Sequence, residues 1–385
     1  MYQKEIPCTI MRGGTSKAVF FLEKDLPAGE KERDAVILKI VGSPDKRQID
    51  GLGGAVSVTT KAAVIGPPSV LGADVDYLFL QPSITETFVS SAGNCGNISS
   101  AVGPFAIEMG LVKAEDPETV VRVYNRNTKK IIRETVQTPG GRVTYSGSTS
   151  IAGVPGTAAP VKLEFPEPAG SMFGRLLPTG KTVEMLEYGS GKAVEVSIAD
   201  ATNPLVFVNA ASVGMDGTEL PPEIDGNPEL LARLEAIRGA AAVLLGVCKK
   251  PEEARHVSPG IPKIAVIGPA KPYETSEGEK IDGDDYDLSI RMMSMQKAHP
   301  ACAMTGAMCT AAAAVCPGTL VWKACQKEEE PVKTTIRLGH AGGLLEAGAK
   351  VEPGTDGCPH ICSVSGIRTA RRLMSGTAFY EPLGE

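Results

Sequence analysis

The chain has 385 residues, 42% of them hydrophobic, and its 39 basic and 45 acidic side chains leave a formal net charge of −6. That length exceeds what one core usually serves, so two domains of similar size are expected, and the mixed charge argues against nucleic acid or an acidic membrane surface as partner. No apolar run is long enough to span a bilayer, the start "MYQKEIPCTIMRGG" lacks the apolar stretch of a secretory leader, and nine irregularly spaced cysteines suit reduced thiols in a cytoplasmic protein better than a disulfide framework.

In chain order, short β-branched or aromatic runs separated by Gly, Pro and Asn read as strands: "CTIMR", "KAVFFL", "VSVTTKAAVI", "VDYLFLQ", "VVRVYN", "KIIRETVQ" and "VKLEF". Helical patterns are fewer. "EKERDAVILKIVG" at 30–42 is the first and "GNISSAVGPFAIEMG", following Cys95, the second. After a Pro- and Gly-rich stretch at 165–181 come the strands "VEVSIAD", "PLVFVN", "KIAVIG" and "YDLSIRMM". Among them "NPELLARLEAIRGAAAVLLGV" opens on Asn-Pro, an N-cap and N1 pair. "TGAMCTAAAAV" at 305–315 has the small side chains of a helix enclosed on all sides.

The order of elements therefore repeats: strands, a turn, and a small-residue helix in each half. We expect an α+β protein of two similar lobes, each a curved sheet around one helix, with both helix N-termini facing a cleft. Free N–H groups and the helix dipole favour negative charge there, so an anionic substrate is expected.

Metal ligation has little support, because His256, His299, His340 and His360 form no HxH or HExxH pattern. "CPHIC" at 358–362 offers a pair of thiols around His360 but no second pair of matching spacing. The GxSxG elbow and the phosphate-binding GxxxxGK[ST] loop are also absent.

Cys95, set in "SAGNCGNISSA", stands at the start of the second helix, where the positive end of a helix dipole favours a thiolate. Lys61 lies among apolar and small neighbours in "VTTKAAVI", where an amine can serve as acid or base, although a snorkelling strand-end lysine has the same local sequence. The glycines of "RGGTSK" permit a tight turn whose Thr15 and Ser16 are able to bind a carboxylate, or else simply face solvent. Arg291, in "LSIRMMSMQKAHP", has a fork suited to a carboxylate and equally to a surface ion pair.

Together "MRGGTSKAVFF", "KAAVIGP", "SAGNCGNISSAVGPFAIEMGLV", "MTGAMCTAAAA", "LGHAGG" and "RTARRLM" resemble the PrpF family, in the expected order over nearly the whole chain. The resemblance implies the diaminopimelate epimerase-like fold: two pseudo-equivalent lobes, each a barrel-like sheet wrapped on a central helix. We place them at 1–182 and 183–385, with the last helix expected to pack back on the first lobe. The family's members move a C=C bond by an allylic 1,3-proton shift in small unsaturated di- or tricarboxylates, without metal or organic cofactor.

Carried onto this chain, the family's proton-transfer pair falls on Lys61 and Cys95. Thr15, Ser16, Asn94, Gly96 and Asn97 would bind one carboxylate. Met304, Thr305 and Gly306 at the later helix start would bind another, with Arg291, His340, Gly342 and Gly343 as further contacts. The second cysteine of diaminopimelate epimerase falls on Ala303, with Cys302 and Cys309 nearby, so a symmetric two-thiol racemase is disfavoured. Cys309 reads as core packing. Ala341 stands where the family tends to have serine, which puts a hydroxyl contact of that loop in doubt.

The thiol-rich composition tilts the substrate toward 3-methylitaconate, giving 2,3-dimethylmaleate, with 2-methylaconitate isomerisation and 4-oxalomesaconate tautomerisation as alternatives. A reading of another class is a non-catalytic tricarboxylate-binding accessory of an aconitase-type dehydratase, for which Cys95→Ser or Lys61→Ala would leave function intact. A homodimer is expected because two-fold assemblies are commonest.

Overall fold

The computed structural model describes residues 2–91, 95–189, 191–294, 296–325, 334–354 and 359–382. The chain divides into two compact units, residues 1–164 with 367–385, and residues 165–366.

In the first unit β1 (Lys4–Gly13) folds back as β2 (Ser16–Leu22). β2 runs parallel to β3 (Ala62–Gly66), and β3 pairs antiparallel with β4 (Val75–Pro82). β4 is parallel to β5 (Glu118–Asn125), after which β6 (Lys130–Gln137) and β7 (Pro160–Pro166) are successive antiparallel neighbours. The C-terminal strand, His360–Tyr380, closes the ring of eight: it flanks β1 from Lys4↔Tyr380 to Gly13↔Ala370 and also borders β7. The helix expected at the end of the chain is thus a strand. Ser375, Gly376 and Thr377 are poor helix formers, and extended they satisfy the otherwise unpaired edge of β1.

Each parallel step needs a crossover. α1 (Glu30–Val41), closed by Gly42 in the left-handed region at φ 78, links β2 to β3. α2 (Gly96–Ser99) and α3 (Val102–Glu108) link β4 to β5. Phe20 meets Phe105 of α3 at 5.3 Å between ring centroids, while its neighbour Phe21 packs with Val36, Ile37 and Ile40 of α1. Because both faces of the sheet are covered here, every residue of β3 is buried. The strand expected from Val56 starts only at Ala62, because the N–H groups of Thr59 and Thr60 both turn back to the Val56 carbonyl.

The central helix, expected as one piece, is broken between Ser99 and Val102. Pro104 has no N–H and its ring opposes the carbonyl four residues back, while the Gly103 N–H donates instead to Glu134 Oε2 at 2.7 Å.

The second unit repeats this topology with its own strands. β8 (Glu184–Gly189), β9 (Lys192–Ala201) and β10 (Asn203–Asn209) are successive antiparallel neighbours. β10 is parallel to β11 (Lys263–Pro269), β11 antiparallel to β12 (Leu288–Ser294), and β12 parallel to β13 (Thr335–His340). β14 (Gly343–Glu352) and the first residues of the C-terminal strand complete the set. From β1 and from β9 the pairings run in the same order: antiparallel, parallel, antiparallel, parallel, then two antiparallel.

The crossovers repeat as well: α4 (Pro228–Leu244) precedes β11 and α5 (Met304–Ala314) precedes β13. Asn227 caps α4 by accepting from the Leu230 N–H at 3.0 Å, as its sequence predicts. α5 is buried at every position except Thr305, which explains its small residues. A short helix, α6 (Leu320–Cys325), follows it. Among the described residues seven cysteines form no disulfide, but Cys316 is disulfide-bonded, so the expectation of reduced thiols fails there.

Candidate active site

Lys61 stands at the mouth of β3 and is only 8% exposed, which rules out the snorkelling surface lysine. Its Nζ donates to Gln81 Oε1 at 2.6 Å and lies 5.2 Å from the centroid of the Phe79 ring. Gln81 is itself fixed, because its Nε2 donates to the Thr60 carbonyl at 2.6 Å. The amine is therefore held by one neutral acceptor and one π face, with no carboxylate partner among these contacts.

Gln81 pairs across the sheet with Ser90, on the segment that leads to Cys95. Asn127 ties that segment down: its Nδ2 donates to the Phe79 carbonyl at 2.8 Å and to the Ser91 carbonyl at 2.7 Å, and its Oδ1 accepts from the Phe79 N–H at 2.8 Å. The β4 stretch that frames Lys61 thus also anchors the approach to the thiol.

Cys95 is the N-cap of α2, half-buried, with extended φ −120 and ψ 96. Its carbonyl accepts from the Ser99 N–H at 2.9 Å and from Ser99 Oγ at 3.1 Å, while its thiol makes no capping bond. Gly96 is buried in the first turn. Asn94 lies outside the described residues.

The two-residue hairpin between Gly13 and Ser16 comes directly against α2. A Cβ on Gly13 would lie 2.4 Å from the Asn97 carbonyl oxygen, and Gly14 has φ +50, so both positions require glycine. Asn97 Nδ2 donates to Thr15 Oγ1 at 3.0 Å and its Oδ1 accepts from Arg368 Nε at 3.1 Å. Both ends of the Asn97 amide are therefore engaged, and it positions Thr15, whose hydroxyl proton is left to point elsewhere. Ser16 is 3% exposed, so it does not face solvent.

In the second unit the first-turn N–H groups of α5, at Met304, Thr305 and Gly306, have no partners four residues back. Thr202 Oγ1 donates to the Thr305 carbonyl at 2.8 Å, fixing this turn from the β9–β10 hairpin. Cys309 is fully buried, its thiol near the Ala199 carbonyl at 3.5 Å, and burial pushes its pKa up to about 12. It is a packed core residue.

Arg291 is 3% exposed and is not a surface ion pair. Its Nε donates to the Glu219 carbonyl at 2.6 Å and its Nη1 to the carbonyls of Ile290 at 3.0 Å and Gly339 at 3.2 Å. The Tyr273 ring lies 5.3 Å away. These bonds make it a pin for the backbone leading to His340, while its buried Nη2 has no partner among the described residues. His340 is also buried: its Nδ1 accepts from the Gly342 N–H at 3.1 Å, and the carbonyls of His340 and Gly343 both accept from Tyr273 Oη at 2.9 Å. Ala341 and Gly342 form the two-residue turn at this ring, and Gly343 pairs with His340.

The structure thus gathers Thr15, Gly96 and Asn97 around the start of α2 and fixes Lys61 beside the segment that reaches it. Sequence reasoning missed Gln81, Asn127 and Arg368. Only Arg368 had a signal, its place in "RTARRLM"; the other two are fixed by pairings across the sheet. Among the described residues no cluster of potential ligands could hold a metal ion, and no helix is long and apolar enough to cross a membrane.

The chain is 45% identical over 380 residues to 3-methylitaconate isomerase of Eubacterium barkeri, covering 98% of both. It is 39% identical to (4E)-oxalomesaconate Delta-isomerase of Novosphingobium sp. (strain KA1), covering 97% of both. It is 38% identical to 2-methyl-aconitate isomerase of Shewanella oneidensis, covering 97% of this chain and 96% of the relative. The crystal structure of a methylitaconate-delta-isomerase superposes with a TM-score of 0.89 at 44% identity, covering 98% of this chain and 96% of the other. A probable proline racemase from Agrobacterium radiobacter, at 13% identity and a TM-score of 0.51 over 96% of this chain and 92% of its own, shares the fold alone, which is the diaminopimelate epimerase-like one expected. The model of the PrpF protein family matches residues 3–381, and the chain belongs to that family.

Proposed function

We propose that this protein is an isomerase that converts 3-methylitaconate to 2,3-dimethylmaleate by a 1,3-proton shift, with Lys61 and Cys95 as its acid–base pair. The observation that carries the reading is a buried amine, held at 2.6 Å by a neutral side chain, in the same unit as a half-buried thiol at a helix start. The 45% identity to a 3-methylitaconate isomerase supports the choice of substrate.

The chemistry is balanced by protons alone. One group removes the proton from the methyl-bearing carbon, and the electron pair of that C–H bond becomes the new C=C bond. The old C=C pair then takes a proton at the methylene carbon, which becomes a methyl group. Negative charge spreads in between over the allylic carbons and the adjoining carboxylate, so fixed donors there lower the barrier. The Thr15 hydroxyl and the N–H groups beside Gly96 and Asn97 are suited to that role. Since nothing is oxidised and no group is transferred, the step calls for no electron or group carrier.

The test is to assay purified protein in parallel on 3-methylitaconate, 2-methylaconitate and 4-oxalomesaconate by the ultraviolet change on double-bond migration. Turnover of 3-methylitaconate in preference to the others, lost in Lys61→Ala and in Cys95→Ser, is the expected result. Faster turnover of another substrate moves the assignment within the family. Absence of turnover on all three refutes the mechanism and favours a binding protein, whereas full turnover in both variants removes Lys61 and Cys95 from the chemistry.

A further inference from the structure

A polar cavity of about 270 Å³ lies within the first unit, outside the groups assigned to proton transfer. Its lining includes Arg12, Tyr145, Gly156, Thr157, Thr369 and Arg371, and no carboxylate among the described residues. Arg12 of β1 and Arg371 of the C-terminal strand are direct register partners. Residues opposite one another in an antiparallel pair share a face, so two guanidinium groups are set side by side, an arrangement that is destabilising without compensation.

Among the described residues no acidic side chain supplies that compensation. Among the described residues Arg12 spends only Nη1, on the Gly14 carbonyl at 2.9 Å, the Thr369 carbonyl at 2.9 Å and Thr369 Oγ1 at 3.0 Å. Among the described residues neither Arg12 nor Arg371 has a carboxylate partner. The neighbouring Arg372 takes Glu108, at 3.4 Å. Burial, and then the charge of Arg371, push the Arg12 guanidinium below its ordinary value. Across the cavity, the loop carrying Gly156 and Thr157 presents backbone and a hydroxyl rather than charge.

We propose that this cavity is a binding site for a small oxyanion, a carboxylate or a phosphate, held by the paired forks of Arg12 and Arg371. The chemistry is that of bidentate guanidinium recognition. The site adjoins the Gly13–Ser16 hairpin through the Arg12 bond to the Gly14 carbonyl, so its occupancy would bear on the turn that carries Thr15.

Isothermal titration of the full-length protein with inorganic phosphate and, separately, with citrate tests the proposal, comparing wild type with Arg371→Gln and Arg12→Gln. The wild type is expected to bind at least one probe, and Arg371→Gln to weaken that binding at least about 10-fold, or to remove one binding event from the isotherm, without changing the melting temperature. Tighter binding of citrate identifies a carboxylate as the ligand class, and tighter binding of phosphate the other. Arg12→Gln is expected to act likewise, but it also loosens Gly14 and Thr369. Arg371→Gln, which breaks no bond of the fold among the described residues, keeps the test decisive if Arg12→Gln does not fold. No binding of either probe to wild type, or identical isotherms in wild type and Arg371→Gln, overturns the proposal.

Discussion

Replacing Glu134 with glutamine tests whether the carboxyl beneath the broken central helix is held neutral. Glu134 is fully buried; Oε2 accepts from the Gly103 N–H at 2.7 Å, and Oε1 has no partner among the described residues. Burial pushes its pKa well above the ordinary 4.5, outweighing the opposite pull of the Gly103 bond. A carboxyl that holds its proton more tightly folded than unfolded stabilises the fold fully below the unfolded value. That contribution is lost as pH rises through the folded value. This residue therefore makes wild-type stability fall by up to about 1.4 kcal/mol per pH unit above the ordinary glutamate value. Glutamine cannot titrate, so its slope should be shallower by that amount. The amide puts two N–H donors where the neutral carboxyl has one O–H without a partner, a pH-independent cost of up to about 1–3 kcal/mol, so the slope and not the offset is the readout. Urea unfolding followed by fluorescence between about pH 5 and 8 measures it. Parallel stability curves for wild type and Glu134→Gln would refute a neutral buried Glu134.

Other outcomes follow from the contacts around the site. Gln81→Leu removes the acceptor of a buried ammonium, a bond of about 1.5–3 kcal/mol, so kcat/KM should drop roughly 10- to 100-fold with the fold intact by circular dichroism. Gly13→Ala puts a methyl 2.4 Å from the Asn97 carbonyl oxygen, which must push the hairpin off α2; a variant with unchanged KM and kcat would contradict that packing. Iodoacetamide should label half-buried Cys95 and spare Cys309, which is fully buried with its pKa pushed up to about 12; peptide mapping reads this directly.

Much of the fold was legible because its signals are local. Asn227-Pro228 marks the start of α4, Gly42 the end of α1, and the small residues from Met304 to Ala314 the enclosure of α5. The break in the central helix turns on Pro104 together with a hydrogen bond from Gly103 to a strand 31 residues away, and the second half of that cause is invisible locally. The C-terminal strand was misread for the same reason, since its conformation answers the free edge of β1. Within the site, Lys61 and Cys95 stood out by residue type and surroundings. Gln81 and Asn127 did not, because neither carries unusual chemistry until the sheet brings it to its partner. Arg291 shows the converse: its Nε and Nη1 go to three backbone carbonyls, and the buried Nη2 alone has no partner among the described residues, an arrangement that residue type does not announce.

The limit of local sequence is sharpest at two lysines. Lys61 opens "KAAVIGP" and Lys263 opens "KIAVIGP". The two segments stand at corresponding places in the repeated topology, with Val19↔Ala62 in one parallel pair and Val206↔Ile264 in the other. Their surroundings differ. Lys61 meets Gln81 and the face of Phe79, whereas burial, and then the charge of Arg238, lower the pKa of Lys263. Arg238 is itself bound to Glu235 and to the Ser258 carbonyl, so Lys263 faces a guanidinium that is already placed. A lysine that holds its proton less tightly folded than unfolded penalises the fold below the folded value, and the penalty is relieved as pH rises through it. Lys263→Met should then be as stable as wild type or more so at neutral pH, because exchanging a half-buried, poorly compensated charge for apolar volume is often neutral or stabilising. Its turnover should match wild type, while Lys61→Met should have none. Loss of turnover in Lys263→Met, with the fold intact by circular dichroism, would mean that the shared motif and not the Gln81 environment selects the reacting amine. Turnover retained in Lys61→Met would remove that amine from the chemistry altogether.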